Sequence, residues 1–123
     1  MEILENIAHE VYTSLGAGYT ESMYHRAFEV ALRDAGISYE TERIVPVVFR
    51  GKTIGNIRAD LIVNGDTIVE LKAIRRLNDE ACNQCRRYMN LLGLKNGLVV
   101  NFGSDYVQTR RVSEYVEIPD SDD

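Results

Sequence analysis

The spacing of apolar residues predicts two helices at the start of the chain. Apolar side chains recur at positions 3, 7, 11 and 15, which is the period of an amphipathic helix over residues 3–15. The glycines within 16-GAGYT-20 end that helix, and Thr20 is a suitable N-cap for a second helix that runs to about Ala35. Gly36 then provides a helix stop.

After Tyr39 the pattern becomes that of β-strands. Residues 41–49, 54–63 and 63–73 are rich in β-branched side chains, and Asn64-Gly65 is a strong hairpin signal, so these segments predict an antiparallel meander. A helix over 79–92, a buried strand over 98–102 and an edge strand over 107–118 follow. The order α-α-β-β-β-α-β-β predicts an α/β fold with a mixed central sheet flanked by helices.

Length and charge narrow the class of protein. The 123 residues fit one domain over 1–118, and the acidic segment 119–123 is predicted to be a disordered tail. The net charge of −5 argues against a general nucleic-acid coat protein, although a local basic patch remains compatible with it. No apolar run reaches the roughly 20 residues of a membrane span, and acids stand where a signal peptide has bases, so we expect a cytoplasmic protein without membrane attachment.

A charged pair interrupts the apolar segment 68-IVELKA-73. In a strand, Glu70 and Lys72 share one face and Leu71 lies on the other. Pairing across Asn64-Gly65 joins residues whose numbers sum to about 129, so Asp60 is predicted opposite about residue 69, give or take a bulge, and beside Glu70. Two adjacent carboxylates repel each other unless a cation lies between them.

A third acid is predicted to approach from the second helix. Glu21, Tyr24 and Phe28 share one helical face, so we expect Glu21 on the side that meets the sheet. Oxygen donors from a helix and two strands suit Mg²⁺ or Mn²⁺, and a nearby lysine can orient water or stabilise charge on a phosphate. Any one strand acid is more often a solvated or ion-paired side chain than a metal ligand, and the residues by themselves leave both alternatives open for the combined set.

These residues coincide with a family pattern. Asp60 followed by Glu70-Leu71-Lys72 resembles the D…(D/E)xK signature of the PD-(D/E)XK nuclease superfamily, with Ala59 at the position of the namesake proline. Downstream, 84-QCRRY-88 is similar to the QxxxY motif of the RecB-like branch. Upstream, 18-GYTESMY-24 matches GxxExxY, the motif that names a small family within the superfamily.

The resemblance implies a restriction-endonuclease-like αβββαβ core and a nuclease that cuts DNA or RNA, with DNA favoured, through a metal-activated water. It implies that Asp60, Glu70 and the Leu71 carbonyl bind Mg²⁺ or Mn²⁺, with Glu21 binding directly or through water, and that Lys72 positions the attacking water.

The remaining motif residues are assigned supporting roles by the same resemblance. It implies that Gln84, Tyr88 and Tyr24 contact the substrate or support the site. A homodimer or a helicase-type partner is compatible with so small a domain.

Two other classes remain open from the sequence. One is a catalytically silent module that binds nucleic acid or protein on the same fold, and the other is a thiol redox protein that uses Cys82 and Cys85. The cysteines are predicted to be small packing residues of a helix in a reducing compartment. His9 and His25 are predicted to be surface groups, and the Arg75-Arg76 and Arg86-Arg87 pairs are predicted to flank the site, where they are solvated or contact phosphate.

Overall fold

The computed structural model describes residues 1–113. It has the predicted order of elements, and the predicted α/β fold is confirmed. The predicted last strand is described as far as Ser113, and the rest of it, like the predicted tail at 119–123, lies outside the described residues. Among residues 1–113, no helix has both the length and the apolar character that crossing a membrane requires. The elements are α1 Glu2–Leu15, α2 Glu21–Asp34, β1 Tyr39–Phe49, β2 Lys52–Val63, β3 Thr67–Lys72, α3 Asp79–Leu92, β4 Asn96–Asn101 and β5 Gln108–Ser113.

The five strands form one mixed sheet in the order β1-β2-β3-β4-β5. All neighbouring strands are antiparallel except β3 and β4, which run parallel because α3 connects them as a crossover. Side-chain caps begin two of the helices: Thr20 accepts a hydrogen bond from the Met23 N–H, and Asn78 accepts one from the Ala81 N–H. Gly93, in the left-handed conformation, ends α3.

The sheet has an apolar core on each face. Val69 and Leu71 belong to the core beneath α1 and α2, whereas Ile68 belongs to the core beneath α3, as the two-residue period of a strand requires. The first core also contains Leu4, Val11, Phe28, Leu61 and Val100, and the second contains Ile62, Cys85, Met89, Val99 and Val112.

The register of the β2–β3 hairpin differs by one residue from the prediction. Leu61 pairs with Val69 and Val63 pairs with Thr67, so a three-residue turn replaces the expected two-residue turn. Asn64 and Gly65 still supply the positive φ angles of that turn, at 54° and 69°. The last β2–β3 pair joins Leu61 to Val69, so the pairing is offset by one residue from the predicted alignment of Asp60 with about residue 69.

Candidate active site

Two carboxylates meet where β2 and β3 separate. The Asp60 N–H donates to Glu70 Oε2 at 2.9 Å, and the Leu71 N–H donates to Asp60 Oδ2 at 2.8 Å. Each carboxylate therefore accepts a hydrogen bond from a backbone N–H of the neighbouring strand, which in a regular strand pair would go to a backbone carbonyl. Within residues 1–113, the second oxygen of each carboxylate has no protein hydrogen-bond donor, so both oxygens are free to accept another ligand.

Burial makes this pair costly to ionise. Glu70 is only 3% exposed, and burial is the largest cause that raises its pKa from 4.5 to about 8. The adjacent charge of Asp60 is the second cause. Burial also raises the pKa of Asp60, although the hydrogen bond from Leu71 opposes that shift. Without a cation, the pair therefore tends to retain a proton near neutral pH.

A cavity of about 390 Å³ opens beside Asp60 on the α2 side of the sheet. Glu21, at the start of α2, lines this cavity together with Asp60 and Leu71. Glu21 is exposed, and its charge contributes to the raised pKa of Glu70. The structure thus places Glu21 near the pair, at the rim of the cavity. The other lining residues are Ser22, His25, Arg26, Glu29, Thr41, Glu42 and Arg58.

Lys72 reaches the opposite side of the sheet. Its Nζ donates to Gln84 Oε1 of α3 at 2.9 Å, and both residues line a groove of about 220 Å³. Tyr88, one turn farther along α3, is half-buried, and burial followed by the charges of Glu70 and Asp60 raises its pKa. The α3 face therefore orients Lys72 and places Tyr88 within electrostatic range of the carboxylates. Arg87 lines the same groove.

Tyr24 is inaccessible to a substrate. It is completely buried, its ring stacks on Phe102 with centroids 4.4 Å apart, and its hydroxyl donates to the Gly16 carbonyl at 2.6 Å. The same hydroxyl accepts from the Tyr19 N–H at 3.3 Å. Of the two roles predicted for Tyr24, its position fits support alone, because it fixes the loop that leads into Glu21.

His25 was wrongly predicted to be a free surface group. Its side chain is only 14% exposed, and Nε2 lies 2.7 Å from Thr41 Oγ1 and 3.2 Å from Glu29 Oε2. It lines the cavity beside Asp60. The one signal in the sequence was its position four residues after Glu21, which places both residues on one face of α2.

Asn101, which is not among the residues predicted from the sequence, holds the chain segment that follows Lys72. Its Oδ1 accepts from the N–H groups of Ile74 and Gly103, and its Nδ2 donates to the Ile74 carbonyl and to Gln108 Oε1. Asn101 is completely buried. The signal in the sequence is an asparagine at the end of an apolar strand such as β4, because a buried amide needs hydrogen-bond partners.

The cysteines pack in the second core. Cys82 and Cys85 are buried free thiols, and burial raises the pKa of Cys85 to about 12. Burial of both thiols agrees with the predicted packing role, and the raised pKa of Cys85 is opposite to the lowered pKa that a redox thiol needs.

The two arginine pairs that were predicted to flank the site do not all line it. Arg86 donates to the Ser113 carbonyl, whereas Arg75 and Arg76 line a separate cavity beside Tyr106. Of the two pairs predicted to flank the site, only Arg87 lines the groove that contains Lys72.

Comparison with known proteins identifies the family. Residues 1–112 match the model of the PD-(D/E)XK nuclease superfamily, so the chain belongs to that superfamily. No curated protein matches the chain. A solved structure described as the crystal structure of SSO0001 is similar in fold, with a TM-score of 0.61 and 21% sequence identity. The match covers 79% of this chain and 52% of that one, so the chain spans about half the length of SSO0001.

The chemistry of the donor set fits a hard divalent cation. Buried Glu70 and half-buried Asp60, both with raised pKa values, gain from a positive charge between them, and oxygen donors are those that Mg²⁺ and Mn²⁺ prefer. Residues 1–113 contain no cluster of three or more His, Cys, Asp or Glu side chains arranged to hold a metal.

Proposed function

We propose that this protein is a divalent-metal-dependent nuclease that hydrolyses phosphodiester bonds, with DNA as the favoured substrate. One observation carries the proposal: buried Glu70 and half-buried Asp60 form a carboxylate pair while Lys72, two residues after Glu70 on the same strand, is held by Gln84. Membership of the nuclease superfamily supports it. The motifs 18-GYTESMY-24 and 84-QCRRY-88 further support placement in the GxxExxY family and the RecB-like branch.

Asp60, Glu70 and the Leu71 carbonyl would hold Mg²⁺ or Mn²⁺, and Glu21 would act through water from the rim of the cavity. Such a cation, when bound, polarises water and stabilises negative charge on a phosphate. Burial makes this electrostatic effect stronger than it is in water, because less solvent screens the charges.

Lys72 would supply a positive charge close to the reacting phosphate. Its hydrogen bond to Gln84 restricts the ammonium group before substrate arrives, so less ordering remains during the reaction. Its charge lowers the pKa values of both Asp60 and Glu70, which favours the ionised pair. Tyr88 and Arg87 lie on the same side and would contact the substrate backbone.

The test is cleavage of labelled single- and double-stranded DNA and RNA with Mg²⁺ or Mn²⁺, comparing the parent with Lys72→Ala. Loss of one such preorganised group costs roughly 10²–10³ in rate at comparable sites, so we expect the variant to cut at least about a hundred-fold more slowly. Lys95→Ala is the matched control. Lys95 is exposed and directly precedes β4, whose first residues pair with the start of β3, whereas Lys72 lies at the end of β3.

Cleavage, nucleic-acid binding and metal-induced thermal stabilisation, measured on the parent and these variants, separate the enzyme from the alternative of a catalytically silent module. Both variants are expected to retain the thermal stabilisation that metal gives the parent, because neither removes a carboxylate. If the parent cuts no nucleic acid with either metal, yet binds it equally well with Lys72 replaced, the protein is a binding module and the nuclease proposal is wrong.

A further inference from the structure

The β1–β2 hairpin extends well beyond the rest of the sheet. The last β2–β3 pair is Leu61 with Val69, so residues 52–59 of β2 continue with β1 as their strand partner. At about 3.3 Å per residue, this overhang is roughly 25 Å long. We call residues 43–58 the basic arm; all sixteen residues, which the structure describes throughout, are exposed or half-buried.

The charge of the basic arm is opposite to that of the whole chain. It contains Arg43, Arg50, Lys52 and Arg58 and no acid, whereas the protein has a net charge of −5. Arg43 and Arg58 lie 3.4 and 3.9 Å from acids of β1, but these arginines and their partners are more than half exposed. Such exposed pairs contribute little, so a polyanion can replace the acid partners.

The tip of the arm is a tight turn made by an unfavourable residue. Arg50 and Gly51 have φ angles of 51° and 76°, as a two-residue type I′ turn requires. Asn or Gly is the usual first residue there, and a non-glycine residue at positive φ is uncommon. Arg50 also lies over the ring of Phe49, with its guanidinium carbon 5.3 Å from the ring centroid. The turn thus presents a cation and an aromatic ring together.

The base of the arm is continuous with the candidate active site. Arg58 lines the cavity that contains Asp60, and Ile44 is its cross-strand partner. Exposed apolar side chains, Ile44, Phe49 and Ile54, accompany the cations, at 64%, 59% and 67% exposure. A partner that spans the arm would therefore contact both the basic ribbon and the site.

From these observations we propose that the basic arm binds duplex DNA in the major groove; this inference rests on the proposed nuclease function and specifies its substrate as double-stranded DNA. The major groove of B-DNA is about 12 Å wide and admits a two-stranded β-ribbon. The major groove of duplex RNA is too narrow for side chains to read. Cations contact phosphates along the groove, and the apolar side chains contact thymine methyl groups and sugars.

A second copy of the chain fits the arm less well. The cations of two arms would repel each other, and Pro46 removes a hydrogen-bond donor from β1, the edge strand along which another sheet would pair. Charge complementarity therefore favours DNA over self-association.

The test uses the double variant Arg50→Asn/Lys52→Thr. Asn-Gly is the preferred type I′ turn and threonine suits a strand, so this variant removes two charges without weakening the hairpin. The matched control is Arg33→Gln/Lys95→Gln, which changes the net charge equally. Arg33, which bonds Tyr39, and Lys95 both lie near the opposite end of the sheet.

Binding is measured by fluorescence anisotropy without metal, on duplex DNA, duplex RNA and single-stranded DNA of one sequence. We expect duplex DNA to bind tightest. The arm variant should bind it at least about ten-fold more weakly, with the slope of log affinity against log salt reduced by about 2, while the control matches the parent. Methylation of guanine N7, in the major groove, should weaken binding by the parent but not by the arm variant.

Several outcomes overturn the inference. Equal binding by the arm variant and its control rules it out, as does equal or tighter binding of RNA duplex or single strands by the parent. A parent dimer that the arm variant dissociates, with DNA affinity unchanged, identifies a second copy as the partner. If the parent cuts DNA and depends on Lys72, these results reject only the arm; a parent that neither binds nor cuts nucleic acid rejects the proposed function as well.

Discussion

Glu70→Gln should stabilise the metal-free protein at neutral pH. The side chain is buried against Asp60, and its pKa is raised from 4.5 to about 8. A group whose folded pKa is raised holds its proton in the folded state while the unfolded chain has already lost it. The contribution of Glu70 to folding stability is therefore largest below pH 4.5 and decreases as pH rises towards 8. Glutamine keeps the oxygen that accepts from the Asp60 N–H and carries no charge.

The size of the stabilisation follows from the pH interval over which the unfolded chain has lost this proton and the folded protein retains it. Between the unfolded pKa of 4.5 and pH 7 lie about 2.5 pH units, and each costs about 1.4 kcal/mol. The variant should therefore gain about 3 kcal/mol over the parent at pH 7 and almost nothing at pH 4.5. For a domain of this size, that difference is roughly a 10 °C rise in melting temperature.

The assay is thermal and urea unfolding of both proteins in a chelator at a series of pH values. Glu10→Gln, which removes an exposed glutamate of α1, is the charge-matched control and should show no comparable pH-dependent gain. Excess Mg²⁺ should then reverse the order, because the parent has both carboxylates to bind it and the variant has one. A gain of equal size at pH 4.5 and pH 8, or no gain at any pH, would refute the reasoning that buried charge destabilises this site.

Three further predictions concern the site and its support. After removal of metal, titration should show that Mg²⁺ affinity increases as pH rises towards 8, because binding displaces the proton of Glu70. Calorimetry in buffers of different ionisation enthalpy measures the release of that proton. An affinity that does not change with pH contradicts this prediction. Asn101→Ala should lower unfolding stability by about 3 kcal/mol, since it strands several buried polar groups, whereas exposed Asn96→Ala should change little in the same urea titration. Gly103→Ala should fold poorly, because a Cβ would lie 2.2 Å from a backbone carbonyl oxygen of the segment after β3. Gly97→Ala should lower stability less, because its Cβ would lie 2.8 Å from side-chain sulfur atoms. Equal melting temperatures of the two variants would contradict this difference.

The architecture could be predicted because its signals are local. The change from helical to strand spacing after Tyr39 and the cap at Thr20 both act over a few residues, and the structure retains both. The register of the site was predicted to within one residue. The error came from the turn at Asn64-Gly65, where the length of the loop depends on how β2 and β3 pack within the whole sheet.

What only the tertiary structure decided is the environment of each charge. The sequence placed Glu70 beside Asp60, but the pKa of about 8 depends on burial by elements distant in the chain. The contact of Lys72 with Gln84 requires the crossover that lays α3 on the sheet, and the Asn101 network requires the end of β4 to meet the segment after β3. Electrostatic strength depends on solvent exclusion, which is a property of the assembled fold and of no short segment.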